Sequence, residues 1–321
     1  MTDKSAEHGR TLPRAMGGGA ARQGFQDGFR SGFVCFAGRP NVGKSSLINA
    51  LVGEEVMITS AHPQTTRRAV RAIMNAPDHQ IVIVDTPGVH RPRTALSERL
   101  NDTAAQAFAE VDVVGFCVPA DEDIGPGDKF ILEQVRREAP KARIVGLVTK
   151  IDKRGRGRTA AQLLALSALL GPEHDVVPVS RQSPEQLSAL AELLVSLMPQ
   201  GPPWYPTDQV VDDSDEARVA ELIREAALSR LREELPHSVM VVVEETQRKK
   251  DLWVVYASVY VERSSQKAIV IGAKGSVLRE IGTVARSRIE AAFGVRAHLD
   301  LRVKIAKDWQ RDPKQLDRFG F

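Results

Sequence analysis

The residues best suited to chemistry form a glycine-rich loop early in the chain. The sequence GRPNVGKS begins at Gly38 and matches the phosphate-binding pattern GxxxxGK[ST], with an apolar run at 33–37 before it and an amphipathic segment at 45–53 after it. Backbone amides of such a loop surround phosphate oxygens, while Lys44 would reach the β and γ phosphates and Ser45 would ligate Mg²⁺. The predicted phosphate-binding residues are Gly38, Arg39, Pro40, Asn41, Val42, Gly43, Lys44, Ser45 and Ser46.

A second motif, DTPG, begins 41 residues after Lys44, at the end of the apolar run 81–84. A carboxylate at a strand end, here Asp85, can hold the Mg²⁺ coordination shell, and the backbone N–H of Gly88 can contact a γ-phosphate. The tetrapeptide is also an ordinary turn, so the buried strand before it and its distance from the loop are what indicate a nucleotide site. The predicted contacts are Asp85, Thr86, Pro87, Gly88 and Val89.

A third motif, Thr149-Lys150-Ile151-Asp152, also ends an apolar run. The Asp152 carboxylate can accept hydrogen bonds from guanine N1–H and the 2-amino group, and adenine offers neither donor. Charge-assisted bonds of this kind contribute about 1.5–3 kcal/mol each, enough to select GTP over ATP. Ser180 would close the base pocket with its hydroxyl and with the backbone N–H of Arg181. The motif therefore predicts guanine recognition.

The elements that position these motifs alternate along residues 32–198. Short Val/Ile-rich runs separated by segments with helical spacing predict a parallel sheet covered by helices on both faces. This is the fold class of an α/β P-loop GTPase domain. The predicted strands are 33–38, 81–85, 111–118, 142–149 and 176–180, and the predicted helices are 97–109, 129–138, 159–170 and 185–197.

A second domain is predicted over residues 217–321, after a linker at 199–216 that contains four prolines and five acidic residues. Its pattern is α-β-β-α-α-β, with two short helices flanking a GxxG tetrapeptide, and it resembles an α+β type II KH domain. The GxxG loop of that family lets a nucleic-acid backbone approach closely, in a groove for about four unpaired nucleotides. From residue 262 onwards there are 13 Lys or Arg against 7 Asp or Glu, which suggests an anionic partner, although charge alone favours a solvated charged face. The RNA-binding residues are predicted to be Gly272, Ala273, Lys274, Gly275 and Arg279.

Composition excludes several other classes of protein. With 42% hydrophobic and 26% charged residues the chain is an ordinary globular protein, not a fibrous or disulfide-rich one. Cys35 and Cys117 lie in apolar runs and are predicted to be buried thiols in a reducing compartment. Residues 1–31 are predicted to be a disordered tail without an assigned role. No apolar run approaches the roughly 18 residues of a membrane helix, so a cytoplasmic location is expected.

The three nucleotide motifs, in this order and spacing, resemble the translation-factor-like GTPases. The segment PQTTR then falls where that group keeps a switch threonine, the second side-chain ligand of Mg²⁺. We assign this role to Thr66, although the sequence does not separate it from Thr65. The metal ligands implied by the resemblance are Ser45, Thr66 and Asp85.

The chain from residue 32 to 321 resembles the Era family of bacterial GTPases. The segments that carry the resemblance are GRPNVGKSSL, PQTTR, DTPGVHRPR, ELPHSV, YVERSSQK and IVIGAKG. The resemblance implies Mg²⁺-dependent hydrolysis of GTP to GDP, and binding near the 3′ end of small-subunit ribosomal RNA rather than to DNA. It also implies a role in 30S subunit assembly and, as in some members of the family, peripheral association with the inner face of the cell membrane. The catalytic residues it implies are Lys44, Thr66, Gly88 and Asn41.

Three departures and two alternatives accompany this resemblance. Thr149 and Arg181 replace the asparagine and alanine usual in the family, and Val89 stands where many GTPases keep a water-orienting glutamine. In similar GTPases an asparagine at the position of Asn41 helps hold K⁺, although here it could simply stabilise the loop. A GTP-sensing RNA-binding module with little turnover is one alternative. A tRNA-modifying GTPase is the other, and it is disfavoured because the C-terminal half lacks a cysteine.

Overall fold

The structure is a computed structural model, and it describes residues 27–58, 67, 69–85, 87, 94–231 and 235–321. Most of the predicted N-terminal tail, residues 1–26, lies outside the described residues. None of the helices in the described part of the chain combines the length and hydropathy that crossing a bilayer would demand.

The first domain is a sheet flanked by helices. Seven strands of the described residues form it in the order β6-β5-β4-β1-β3-β2-β7. They are β1 Arg30–Ala37, β2 Val70–Asn75, β3 His79–Asp85, β4 Val113–Pro119, β5 Arg143–Thr149, β6 Val176–Pro178 and β7 Val211–Asp212. The helices are α1 Lys44–Val52, α2 Ala95–Ala109, α3 Pro126–Glu138, α4 Arg156–Leu170 and α5 Pro184–Leu197. Separate apolar clusters lie on the two faces of the sheet, so helices cover both.

The five predicted strands pair in parallel as expected, and two further strands that the sequence did not predict, β2 and β7, make the sheet mixed at one edge. β2 pairs antiparallel with β3, and β7 pairs antiparallel with β2. A connection as short as residues 76–78 reverses the chain, because a parallel pair needs a crossover of a dozen or more residues. β2 lacks the long apolar run of a central strand, since only Ala72 and Ile73 within it are buried. β2 needs no long apolar run, because it lies next to the edge strand β7 and is only partly covered by other residues.

The predicted start of this domain at residue 32 is two residues late. Arg30 and Ser31 already belong to β1, where they are in register with His79 and Gln80 of β3. The Ser31 hydroxyl also donates to the carbonyl of Pro202 at 2.7 Å. Pairing with β3 therefore orders these residues, although their sequence is not apolar.

The segment after α5 is held against the sheet, so the prediction of an exposed linker over 199–216 is wrong for much of its length. The fully buried Gln80 side chain accepts hydrogen bonds from the backbone N–H groups of Trp204 and Tyr205, at 2.7 and 3.0 Å. It also donates to the carbonyl of Tyr205 at 2.9 Å. The Trp204 ring packs edge-on against Phe33, with centroids 4.9 Å apart. These contacts offset the entropy lost on ordering a proline-rich chain.

The second domain contains the predicted α-β-β-α-α-β order, with a short helix at Leu235–Ser238 added before its first strand and another at Pro313–Phe319 after its last. Its strands form a sheet in the order β10-β9-β8, with β8 antiparallel and β10 parallel to β9. One cluster of buried side chains joins the sheet to four helices, α6, α7, α8 and α9. The prediction of two short helices around the GxxG is wrong for α9, which has 18 residues. The elements are α6 Asp215–Leu228, α7 Leu235–Ser238, β8 Met240–Lys249, β9 Leu252–Val261, α8 Ser264–Ile271, α9 Ser276–Phe293, β10 Arg296–Ile305 and α10 Pro313–Phe319.

The two domains contact each other through α2 and the C-terminal segment. Leu96 and Leu100 of α2 share a buried cluster with Trp309, Leu316 and Phe319. The Trp309 indole N–H donates to a backbone carbonyl at 3.0 Å, which makes this residue a packing anchor. The helix that follows the DTPG segment therefore rests on the second domain.

Candidate nucleotide site and RNA interface

The phosphate loop wraps around the start of α1 by using left-handed backbone conformations. Gly38, Asn41 and Gly43 have φ values of 154°, 63° and 102°. A Cβ added to Gly38 would lie 2.5 Å from the carbonyl oxygen of Cys117, so the loop backbone packs directly on β4. A side chain at this position would push the loop away from the sheet. The glycines of the motif are therefore required by backbone angle and by close approach.

Lys44 has its ammonium group inside the loop. Its Nζ donates to the carbonyl oxygens of Gly38 and Arg39, both at 2.9 Å. Burial lowers the pKa of Lys44, and the nearby Asp85 carboxylate opposes that shift. These two carbonyl groups orient the ammonium, which remains the single point charge that such a loop directs at phosphate.

Ser45 and Asp85 form a pair of oxygen donors beside the loop. The Ser45 hydroxyl donates to Asp85 Oδ2 at 3.3 Å, and Asp85 is only 1% exposed at the end of β3. A hydroxyl and a carboxylate are the hard oxygen ligands that Mg²⁺ takes, so these residues fit the ion. Pro87 is buried nearby. The other residues predicted to line this side lie outside the described residues: Thr66, Thr86, Gly88 and Val89.

The base-recognition end is built from two strand ends. The Ser180 hydroxyl donates to Asp152 Oδ1 at 2.7 Å, and the Ser180 backbone N–H donates to the Gln186 side chain at 2.8 Å. Ser180 is buried and Asp152 is exposed, so a buried hydroxyl orients a carboxylate that remains accessible from solvent. Lys150 has a φ of 55°, and its stem lies 3.9 Å from where a Cβ on Gly43 would be. Its methylene groups therefore border the phosphate loop, next to Ile151.

Arg181 is exposed, so its side chain does not obstruct the pocket that its backbone would help to form.

Thr149 ties the base end to the phosphate end. Its hydroxyl donates to the carbonyl of Val42, in the loop, at 2.5 Å, and lies 3.3 Å from the carbonyl of Val118. Thr149 and Val42 are both buried. The substitution of threonine for the usual asparagine thus keeps a direct hydrogen bond between the two halves of the site.

Replacing Thr149 with valine is expected to weaken GDP and GTP binding about 5- to 100-fold. The near-isosteric change leaves a buried carbonyl without its partner, which costs about 1–3 kcal/mol. Thr159→Val is a matched control, because the Thr159 hydroxyl makes an exposed bond on α4. Fluorescent-nucleotide titration measures both variants. Wild-type affinity in Thr149→Val would show that the hydroxyl does not hold the site together.

The candidate RNA interface is the loop between α8 and α9. Gly272, Lys274 and Gly275 have φ values of 72°, 50° and 77°, a run of left-handed conformations that exposes the backbone. A Cβ on Gly272 would lie 2.6 Å from a methyl group of Val277, so this position has no room for a side chain. Lys274 and Ala273 are exposed at the tip. The loop can thus bring peptide groups and a lysine against a phosphate backbone.

A groove extends from this loop between α9 and β10. Arg279 and Arg286 lie on the same face of α9, two turns apart, and both are exposed. The sequence analysis predicted Arg279 but not Arg286. The seven-residue spacing of the two arginines, which places both on one face of a helix, could have indicated Arg286. The apolar floor was also missed, because its strand residues share their pattern with the core. The residues lining the groove are Gly275, Leu278, Arg279, Gly282, Thr283, Arg286, His298, Leu299 and Leu301.

Comparison with known proteins identifies the family. A family model described as a 50S ribosome-binding GTPase matches residues 33–150, and one described as a KH domain matches residues 234–310. The chain is 57% identical over 296 residues to GTPase Era of Mycolicibacterium smegmatis, covering 91% of this chain and 99% of that protein. This chain belongs to the Era family of GTPases. The predicted fold class, a P-loop GTPase domain followed by a KH domain, is confirmed.

Solved structures of Era agree with this fold. Aquifex aeolicus Era, as an alanine variant bound to GDP·AlF4⁻, superposes with a TM-score of 0.87 at 33% identity. Era in complex with MgGDPNP and nucleotides 1506–1542 of 16S ribosomal RNA gives a TM-score of 0.86, also at 33% identity. Each comparison covers 91% of this chain and 99% of the other. The Era fold therefore extends over both domains.

Proposed function

We propose that this Era-family protein binds GTP with Mg²⁺ and hydrolyses it to GDP and phosphate. We propose further that its KH domain binds small-subunit ribosomal RNA near the 3′ end and that the protein acts in 30S assembly. The observation that carries the proposal is the bond from Thr149 to Val42, which joins an Asp152–Ser180 base reader to a phosphate loop. The same chain also has a basic KH groove, and the similar Era structure was solved with MgGDPNP and 16S RNA.

Different residues of the chain would contact the phosphates, the metal ion and the base of the nucleotide. Lys44 would place its charge against the β and γ phosphates, where negative charge develops during phosphoryl transfer. Ser45 and Asp85 would hold Mg²⁺, which, when bound, neutralises charge on the phosphate oxygens. Asp152 would select guanine, because its carboxylate is oriented by Ser180. We assign a further Mg²⁺ contact to Thr66 and the γ-phosphate contact to the N–H of Gly88.

The RNA-binding half would take unpaired nucleotides in the groove between α9 and β10. Lys274 and Arg279 would contact phosphates, and the apolar floor would accept bases. The protein would act in the cytoplasm and associate peripherally with the inner face of the membrane, supported by the basic C-terminal block. Co-sedimentation with anionic and with neutral vesicles tests that association. Absence of binding to either kind of vesicle would contradict it.

Hydrolysis assays test the central proposal. GTP turnover is measured with Mg²⁺, with and without an RNA that carries the 3′ end of small-subunit ribosomal RNA. Turnover of GTP but not ATP, with binding of this RNA, supports the proposal. Binding of both GTP and RNA without turnover above the buffer rate would instead indicate a GTP-sensing RNA-binding module.

The proposal includes a K⁺ ion near Asn41 that accelerates hydrolysis. Asn41 is exposed in a left-handed turn of the phosphate loop, and an amide oxygen is a suitable ligand for a large monovalent cation. Val89 can neither donate nor accept a side-chain hydrogen bond, so charge on the β–γ bridge needs another source of stabilisation. Hydrolysis should be faster in K⁺ than in Na⁺ at equal ionic strength, and Asn41→Ala should remove the difference. Equal wild-type rates in the two salts would contradict the K⁺ site and point to RNA as the activator.

A further inference from the structure

The side chain of Arg39 extends from the phosphate loop to α3. Its Nε donates to Asp128 Oδ1 at 2.8 Å, and its Nη1 pairs with Glu122 Oε2 at 2.9 Å. Asp128 is fully buried, whereas the Glu122 side chain is about half exposed. The buried partner is the stronger anchor, because a buried carboxylate depends on its counter-charge far more than an exposed one does.

The other oxygen of Asp128 is also used. Oδ2 accepts the backbone N–H of Gly125, the residue that caps the start of α3, at 2.8 Å. A Cβ on Gly127 would lie 3.1 Å from Cδ of Arg39, so the glycine leaves room for the arginine stem. The start of α3 and the phosphate loop are therefore built around one buried ion pair.

This pair bears on Lys44 through the backbone. The Lys44 ammonium is oriented by the carbonyl oxygens of Gly38 and Arg39. These two carbonyl groups lie on either side of the Cα atom that carries the Arg39 side chain. A loop free to shift at Arg39 would carry these carbonyl groups, and with them the ammonium, away from the β and γ phosphates. Displacements of about 1 Å at a reacting group can lower a rate on the order of 100-fold.

We infer that Arg39 is a positioning residue for GTP hydrolysis: held by Asp128, it fixes the loop carbonyls that orient Lys44. The inference rests on the proposed GTPase function. The guanidinium of Arg39 contacts Asp128 at the start of α3, so the contribution of Arg39 to nucleotide binding would come from its backbone. Asp128 belongs to the same device, although it lies outside every nucleotide motif.

The experiment compares Arg39→Met, Arg39→Lys and wild type in the full-length chain. Methionine keeps the apolar stem but loses the ion pair, and kcat is expected to fall at least about tenfold while GDP affinity changes less than about threefold. Lysine keeps a charge that can reach Asp128 but cannot also pair with Glu122, so its kcat should lie between those of Arg39→Met and wild type. Arg158→Met is the matched control, because Arg158 pairs with Asp123, which is exposed and belongs to the segment between β4 and α3 that also contains Glu122. Its kcat should stay within about twofold of wild type.

Two outcomes would overturn the inference while the proposed function stands. One is a kcat in Arg39→Met within about twofold of a wild type that hydrolyses GTP. The other is a parallel fall of kcat, GDP affinity and unfolding midpoint in both Arg39 variants, which would indicate a merely structural role. Absence of GTP binding in the wild type would instead refute the proposed function.

Discussion

Asp152→Asn is expected to lower the affinity for GTP about 10²- to 10⁴-fold and to make xanthosine triphosphate the preferred nucleotide. Asp152 would accept two hydrogen bonds from guanine, each about 1.5–3 kcal/mol because the acceptor is charged. The amide replaces one acceptor by a donor, which opposes the 2-amino group of guanine but suits the 2-oxo group of xanthine. The Ser180 hydroxyl, now donating to Oδ1 at 2.7 Å, can still donate to the amide oxygen and keep it in place.

Competition titrations with GTP, ATP and xanthosine triphosphate measure this reversal. Asp123→Asn is a suitable control, because Asp123 is 86% exposed and pairs with Arg158 rather than with Ser180. An unchanged preference for GTP in Asp152→Asn would show that the segment 149–152 does not read the base. Comparable unfolding midpoints in the two variants would exclude a general loss of structure.

Gly275→Asp is expected to reduce RNA affinity about 10²- to 10³-fold while GTP hydrolysis stays within a few-fold of wild type. No described atom lies within 4 Å of the position that a Cβ on Gly275 would take, so the side chain itself fits. The carboxylate would stand where a phosphate must approach, and two like charges about 4 Å apart repel by roughly 4 kcal/mol near a protein surface. The nucleotide site lies in the other domain and should be unaffected.

Gly294→Asp provides a matched control for backbone strain. Gly275 lies just before α9 and Gly294 lies just after it. The φ value is 64° at Gly294 and 77° at Gly275, and neither position has a described atom within 4 Å of an added Cβ. The two sites lie about 27 Å apart along the 18-residue helix. Filter-binding of 3′-end RNA should therefore separate them. Equal loss of RNA binding in both variants, or loss of hydrolysis in Gly275→Asp, would contradict the expectation that RNA binding and GTP hydrolysis can be disrupted separately.

Local chemistry made the core of the nucleotide site predictable. Gly43 and Lys44 must adjoin a helix start, and Asp85 and Asp152 must end buried strands, because parallel strands bring their carboxyl ends to one edge of a sheet. The structure accordingly brings Ser45 to Asp85 and Ser180 to Asp152. Cys35 and Cys117 are also buried and unbridged as predicted, and burial raises the pKa of Cys117 to about 12.

Features that depend on distant partners were not predictable in the same way. β2 and β7 have little apolar periodicity of their own, and they exist as strands because they pair at the edge of a sheet formed by other residues. Gln80 appears in the sequence as one polar residue before an apolar run. Its importance comes from the backbone of Trp204 and Tyr205, more than 120 residues away, which it binds.

The nucleotide motifs, the GxxG loop and the order of the two domains can be recognised in the sequence, because each depends on residue types at short, fixed spacings. The contacts of Arg39 with Asp128, of Thr149 with Val42 and of α2 with the C-terminal segment are visible only in the folded chain. Those contacts join residues 89, 107 and over 200 positions apart, and no local pattern encodes such a pair. They arise when packing removes charged and polar groups from water, so that each must find its partner wherever the fold places it.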